Sequence, residues 1–317
     1  MNPAMTREKI FCIRKICHNC TVNHTSRKPR LGQHFLVNSR AIQSIIQALE
    51  PKAGETIIEI GPGRGALTLP LLETCREKGC AVVAIEKDLE LVNLLTSQLV
   101  NWENAQIIQG DALRELPKLI NQLTNQSRRK AGTPTSLPNN FNKASGPINY
   151  KIVGNIPYYI TGKLLRLLSE LPVKPARTIL TIQREVAERI VAKPPSMNLL
   201  AAAVQVWAKP SIVMKLAPGD FSPPPEVNSA IILLETKPST NDELRITGYY
   251  PFIRKLFKQP RKTIFNNLRS GYPKLGVFKV RKRLRELAIE ENVRPQDISL
   301  PLLIKLASHM RDQKETV

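Results

Sequence analysis

Thr56-Ile57-Ile58-Glu59-Ile60-Gly61-Pro62-Gly63-Arg64-Gly65-Ala66 decides the fold. A short apolar, β-branched run stops at Gly61, and a helix-like stretch follows to about Lys78. Glycines at this point let the backbone turn sharply from strand to helix and approach a ligand closely. Upstream, Asn38 or Ser39 is placed to cap a helix running to about Glu50. Downstream, Ala81 to Ile85 is a second strand, and Asp88 caps a helix to about Val100. Ala105 to Gln109 is a third strand and Tyr150 to Val153 a fourth. Thr161 starts another helix, and Thr178 to Ile182 is a fifth strand followed by a helix over 184–192. Strands alternating with helices make a mostly parallel, doubly wound α/β sheet.

The chain has 317 residues, of which 42% are hydrophobic, enough for one large domain and a smaller one. Lys plus Arg number 47 against 26 Asp plus Glu, a formal charge of +21 that predicts a polyanionic partner. No apolar run reaches the ~20 residues a membrane-spanning helix needs. Five Cys at irregular spacing make no disulfide framework, which points to a reducing compartment. Residues 1–27 read as a basic, disordered arm. Cys12, Cys17, Cys20 and His24 within it raise a zinc knot as one alternative, and an organelle transit segment is another. Residues 121–148 are polar and read as a flexible surface insertion carrying Arg128, Arg129 and Lys130. A polar linker at 237–244 divides a domain over 28–238 from a helical domain over 239–317. From residue 241 onward the balance of charge is +9, with Arg281, Lys282, Arg283 and Arg285 on one helix opposite Val280, Leu284 and Leu287. Such a tail suits nucleic acid.

Three strand ends carry chemistry. The turn holding Gly61 and Gly63 is a loose G-x-G-x-x-A, which fits a dinucleotide or another adenosine cofactor. Glu86 ends the second strand, where a carboxylate can accept bonds from ribose hydroxyls. Asp111 ends the third, where it can accept from the amino group of an S-adenosylmethionine (SAM) adenine; a dehydrogenase needs no acid there. The plain alternative for these acids is capping of the next helix. The fourth strand ends in Asn155-Ile156-Pro157-Tyr158, the most specific signal in the chain. The Asn155 side-chain carbonyl and the Ile156 main-chain carbonyl can accept both N–H bonds of an exocyclic amine, favouring a nitrogen whose lone pair faces a methyl group. Pro157 stiffens the turn and Tyr158 can stack on the base. Phe221, opening Phe221-Ser222-Pro223-Pro224-Pro225-Glu226-Val227-Asn228-Ser229, can close the other face.

These motifs, in this order, resemble the small-subunit ribosomal RNA adenine N6,N6-dimethyltransferases, the KsgA family. The likeness spans most of residues 28–310 and adds Leu31 to Leu36, Gln183 to Arg189, and Arg261 to Ile264 with Asn267-Leu268. It departs from the family at His34, where Asn is commoner, at 194–203, at Pro260 and in the length of the insertion. The resemblance implies a class I SAM-dependent methyltransferase (Rossmann-like) domain with a small C-terminal helical domain. It implies a cytoplasmic, monomeric enzyme that dimethylates two adjacent adenines in the 3′-terminal helix loop of 16S rRNA within the immature small subunit. It implies cofactor contacts at His34, Leu36, Gly61, Gly63, Glu86, Asp111 and Asn155, catalysis at Asn155, Ile156, Pro157, Tyr158 and Phe221, and no metal or membrane. The alternatives are a 23S rRNA adenine N6-methyltransferase of the macrolide-resistance type and a non-catalytic assembly or nucleic-acid-binding factor. An NAD dehydrogenase fails for want of a proton-relay histidine near a substrate loop.

Overall fold

A computed structural model describes residues 33–127, 148–238 and 248–310. The Cys/His arm, the Arg128–Lys130 cluster and most of the linker lie outside them. The central sheet contains β2 (Thr56–Ile60), β3 (Ala81–Glu86), β4 (Ala105–Gln109), β5 (Tyr150–Asn155), β6 (Arg177–Gln183), β7 (Ala208–Leu216) and β9 (Ser229–Thr236). Its order is β4-β3-β2-β5-β6-β9-β7. β4, β3, β2, β5 and β6 run parallel, while β9 and β7 are antiparallel additions at one edge. Pro210 is tolerated in β7 because an edge strand has one side unpaired. The remaining pairing is a two-residue ribbon, β1 (Phe35–Leu36) against β8 (Phe221–Ser222).

Side chains alternate between the faces of the parallel strands. Ile57, Val82, Val153 and Ile179 face α1 (Ser39–Leu49) and α2 (Thr68–Lys78). Ile58, Ile60, Val83, Ile152 and Leu180 face the larger core, beside α4 (Ala112–Ser127), α5 (Thr161–Glu170), α6 (Arg184–Val191) and α7 (Leu199–Gln205). Each fully buried aliphatic side chain contributes ~1.5–3 kcal/mol, so burial on both sides fixes strand register. α3 (Leu89–Gln98) starts on Asp88, whose side chain accepts from Glu90 N. Asn38 caps α1, accepting from Arg40 N and Ala41 N at 2.9 and 3.2 Å.

Two expectations need correction. The polar stretch from 121 begins inside α4, which continues to Ser127 because Leu123 still reaches the core laid down by Leu116, Leu119 and Ile120. Cys75 and Cys80 are joined as a disulfide. The turn between α2 and β3 brings them together, a local link that spacing along the chain did not reveal.

The C-terminal helices are α8 (Tyr249–Leu256), α9 (Ile264–Gly271), α10 (Gly276–Glu286) and α11 (Leu300–His309). Their apolar residues join the larger core rather than forming a separate one. Tyr249 Oη donates to Ala202 O at 3.1 Å, and Met197 N to Gln296 O at 3.0 Å. Asn267 of the Arg261–Asn267 motif is buried and holds its own loop, bonding Gln259 O, Lys262 O and Thr263 O. No helix among the described residues is long and apolar enough to cross a membrane.

Candidate active site

Strand order reverses between β2 and β5: the chain leaves β2 for β3 on one side and later returns to β5 on the other. Ligands of open α/β sheets sit outside the carboxyl ends of the strands at such a switch point. The four sequence signals all lie there, at the ends of β2, β3, β4 and β5.

Gly61, Gly63 and Gly65 have φ of 67°, 59° and 84°, a region side chains avoid. Gly63 is doubly constrained, since a Cβ there would lie 2.8 Å from the Phe35 ring. β1 thus crosses closely over the glycine turn. The turn is tied to β3 through Gly61 N, which donates to Ile85 O at 3.0 Å, and through Gly63 N, which donates to Glu86 Oε2 at 3.1 Å.

Glu86 is buried, and its Oε1 also accepts from Lys87 N and Asp88 N at 2.7 and 2.9 Å. A carboxylate offers about four acceptor positions, so roughly one is left for a ribose hydroxyl. Asp111 Oδ1 accepts from Leu113 N at 3.0 Å, so it does cap α4, while its Oδ2 lies 3.4 Å from Lys87 Nζ near the surface. Capping and ligand binding are compatible here, because each function uses a different oxygen.

Asn155 Nδ2 donates to His34 O at 2.6 Å, which leaves Oδ1 as the acceptor available for a substrate N–H. Ile156 is buried in the larger core, so what it can offer a ligand is its main chain. Pro157 precedes a short 3₁₀ turn over Tyr158–Ile160. Tyr158 Oη meets Ser229 Oγ at 2.6 Å, and burial pushes its hydroxyl above the ordinary range against the pull of that bond. The His34 ring lies 6.1 Å from the Tyr158 ring at 22°, and His34 Nδ1 is 2.9 Å from Pro223 O. Leu36 pairs with Phe221 across the ribbon, and both are buried with Ala41 and Ile45. Direct contacts therefore join His34 to Asn155 and Tyr158, pair Leu36 with Phe221, and tie Gly63 to Glu86. Asp111 connects to Glu86 through Lys87.

Several site residues carried no assignment in the sequence. Phe35, Asp220 and Ser229 hold the site together; Asp220 accepts from Asn38 Nδ2 and Ala217 N, both at 2.7 Å. The Asn38–Asp220 and Tyr158–Ser229 bonds join residues 182 and 71 apart in the chain, which local pattern does not report. Glu59, inside the opening motif, is 1% exposed, and its carboxyl is held up at about 7. Burial is the main cause; the Thr68 hydroxyl works against it and the Glu86 charge reinforces it. Among the described residues no cluster of three or more His, Cys, Asp or Glu is arranged to hold a metal ion.

Comparison with known proteins narrows the chemistry. A family model described as "Ribosomal RNA adenine dimethylase" matches residues 24–306. A "Ribosomal RNA small subunit methyltransferase A" from Koribacter versatilis is 31% identical over 293 residues, covering 90% of this chain and 95% of the relative. A protein of the same name from Acidobacterium capsulatum is 34% identical over 291 residues, covering 90% and 92%. Among solved structures, a dimethyladenosine transferase from Plasmodium falciparum aligns with a TM-score of 0.66 at 22% identity, covering 86% of this chain and 96% of that one. The 23S rRNA methyltransferase ErmE aligns at 0.62 and 20%, covering 87% and 99%. The fold is that of the class I SAM-dependent methyltransferases, with helices appended at the C-terminal end.

Proposed function

Because the chain belongs to the ribosomal RNA adenine dimethylase family, we propose that it dimethylates N6 of two adjacent adenines in the 3′-terminal helix loop of 16S rRNA. It is a SAM-dependent rRNA adenine dimethyltransferase. In this reading it acts as a cytoplasmic monomer on the immature small subunit. The observation that carries the reading is the meeting of the glycine turn, Glu86, Asp111 and Asn155 at the ends of four neighbouring parallel strands.

SAM fits the donor set: two carboxylates that each keep an acceptor position, and a glycine turn in which β1 leaves no room for a side chain at Gly63. Glu86 and Asp111 would hold its ribose and adenine, with His34, Leu36, Gly61 and Gly63 lining the same crevice. When bound, SAM supplies a methyl carbon already activated on a sulfonium, so the protein needs no covalent nucleophile. Asn155 Oδ1 and the Ile156 carbonyl accept the two N–H bonds of the target amine and orient its lone pair. Tyr158 stacks on the adenine; Phe221, read from the sequence as closing its other face, is buried beside Leu36, Ala41 and Ile45. The target must first leave its stack, which costs a few kcal/mol and less in a loop. The amine proton leaves to water.

Tritiated methyl transfer from SAM to unmethylated small subunits, with the labelled base mapped, tests the proposal. Label on two adjacent 16S adenines is expected. Label in 23S rRNA would assign the macrolide-resistance reaction instead. SAM binding without transfer to either RNA would point to a non-catalytic factor.

A further inference from the structure

Tyr159 follows Tyr158 in the turn after β5, and its side chain is 68% exposed. A single exposed apolar residue is ordinary. Here two more stand on segments bound to the same turn: Val37, 54% exposed, and Val227, 42% exposed. Val37 N donates to Asp220 O at 2.9 Å, and Val37 lies three residues past His34, whose ring faces Tyr158. Val227 lies two residues before Ser229, whose hydroxyl meets that of Tyr158. The three exposed side chains therefore stand on segments tied around the Asn155–Tyr158 turn, by the Val37–Asp220 and Tyr158–Ser229 hydrogen bonds and the His34–Tyr158 ring contact.

An adenine drawn out of an RNA loop leaves its neighbour with one face unstacked. An aromatic ring in water beside the pocket can supply that face, and stacking of this kind is tolerant of base identity. We propose that Tyr159, flanked by Val37 and Val227, is the platform for the base next to the adenine in the pocket. This rests on the function proposed above, and it explains how one pocket can serve two adjacent adenines. While one base is modified, the other waits on Tyr159, and a shift of one nucleotide exchanges them. As a whole the chain carries a net charge of +21, which suits a polyanionic RNA partner better than an apolar protein segment.

The test uses the full chain with Tyr159→Ala and Tyr159→Phe, on small subunits or a loop RNA carrying either the native pair of adenines or an abasic nucleotide beside the target. With the native pair, Tyr159→Ala should weaken RNA binding and raise the KM for RNA by roughly 10- to 100-fold. Tyr159→Phe should stay within about twofold, and SAM affinity should not change in either variant. On the abasic RNA, wild type and Tyr159→Ala should become equal, because the stacking partner is gone from both. Equal binding of the native RNA by wild type and Tyr159→Ala overturns the proposal. So does an alanine defect that persists undiminished on the abasic RNA, which would mean a protein or other contact instead. If wild type labels no adjacent adenines at all, the functional reading fails first, and that result is distinct from either of these.

Discussion

Glu86 and Asp111 both end parallel strands, yet their carboxylates are engaged unequally. Glu86 satisfies three backbone N–H groups, one of them in the glycine turn, whereas Asp111 caps one helix and reaches one exposed lysine. Glu86→Ala should therefore cost more SAM affinity than Asp111→Ala, since it also leaves buried donors unpaired at ~1–3 kcal/mol each. Titration calorimetry reads both, and wild-type affinity in the pair would remove these acids from the cofactor site. Asn155→Ala should lose turnover far more than RNA affinity, because in the proposed mechanism its Oδ1 acts on the reacting amine while phosphate contacts carry binding. Equal losses in rate and binding would reduce Asn155 to a strut for His34. Glu59 makes a pH prediction. Its carboxyl ordinarily titrates at 4.5 and is raised to about 7 in the fold. The folded protein thus holds that proton more tightly. The contribution is fully present below 4.5 and is lost as pH rises through 7, a swing of about 3 kcal/mol. Glu59→Gln should flatten the fall of Tm between about pH 5 and 8. An unchanged slope in thermal scans would show that Glu59 is already ionised in the fold.

At the scale of elements, α10 carries the basic cluster that the sequence reading assigns to RNA. Val280 and Leu284 are buried, and Leu287 just beyond is partly so, as the sequence pattern implied. The cations opposite are not all equivalent. Arg281 pairs with Glu291 at 3.1 Å and packs over Phe265, and Lys282 lies 4.0 Å from Glu286. Replacing Arg281, Lys282, Arg283 and Arg285 by Ala should flatten the salt dependence of RNA binding by about 0.7–0.9 per lost phosphate contact. Because acidic partners already claim two of them, the change should fall short of four full contacts. An unchanged slope in a variant with wild-type circular dichroism would mean that these charges only keep the helix soluble. The parallel strands were legible because burial on both faces demands β-branched apolar runs, and the caps at Asn38 and Asp88 because their chemistry is local. The ribbon of β1 and β8 was not. Two residues show no period, and their pairing joins positions far apart in the chain. For the same reason the sequence yielded Asn155 and Tyr158 but not the His34 carbonyl and Ser229 hydroxyl that hold them.

Across the whole molecule, composition and packing place boundaries differently. The polar stretch at 237–244 suggests a methyltransferase domain ending at 238 and a helical domain beginning at 239. The larger hydrophobic cluster crosses that line: Leu180 and Ile182 of the sheet, Ala201 and Val204 of α7, and Tyr249, Phe252 and Leu303 of the C-terminal helices belong to one core. At the opposite end of the strands, Lys151 and Glu55 form a buried pair at 2.7 Å, and Lys151 also donates to Glu50 O. Breaking such a pair typically costs ~3–5 kcal/mol, so that end is anchored independently of the helices. A continuous core predicts cooperative unfolding of all its parts. The full chain should then melt in one transition whose calorimetric and van't Hoff enthalpies agree. Phe252→Ala, which empties a buried ring site in α8, should move that whole transition by ~3–5 kcal/mol. SAM should raise the Tm of wild type and variant alike, since ligand bound at the strand ends stabilises everything that unfolds with them. Two transitions, with Phe252→Ala shifting one and SAM the other, would instead establish two domains that fold separately, and the line at 238 would then be a physical boundary.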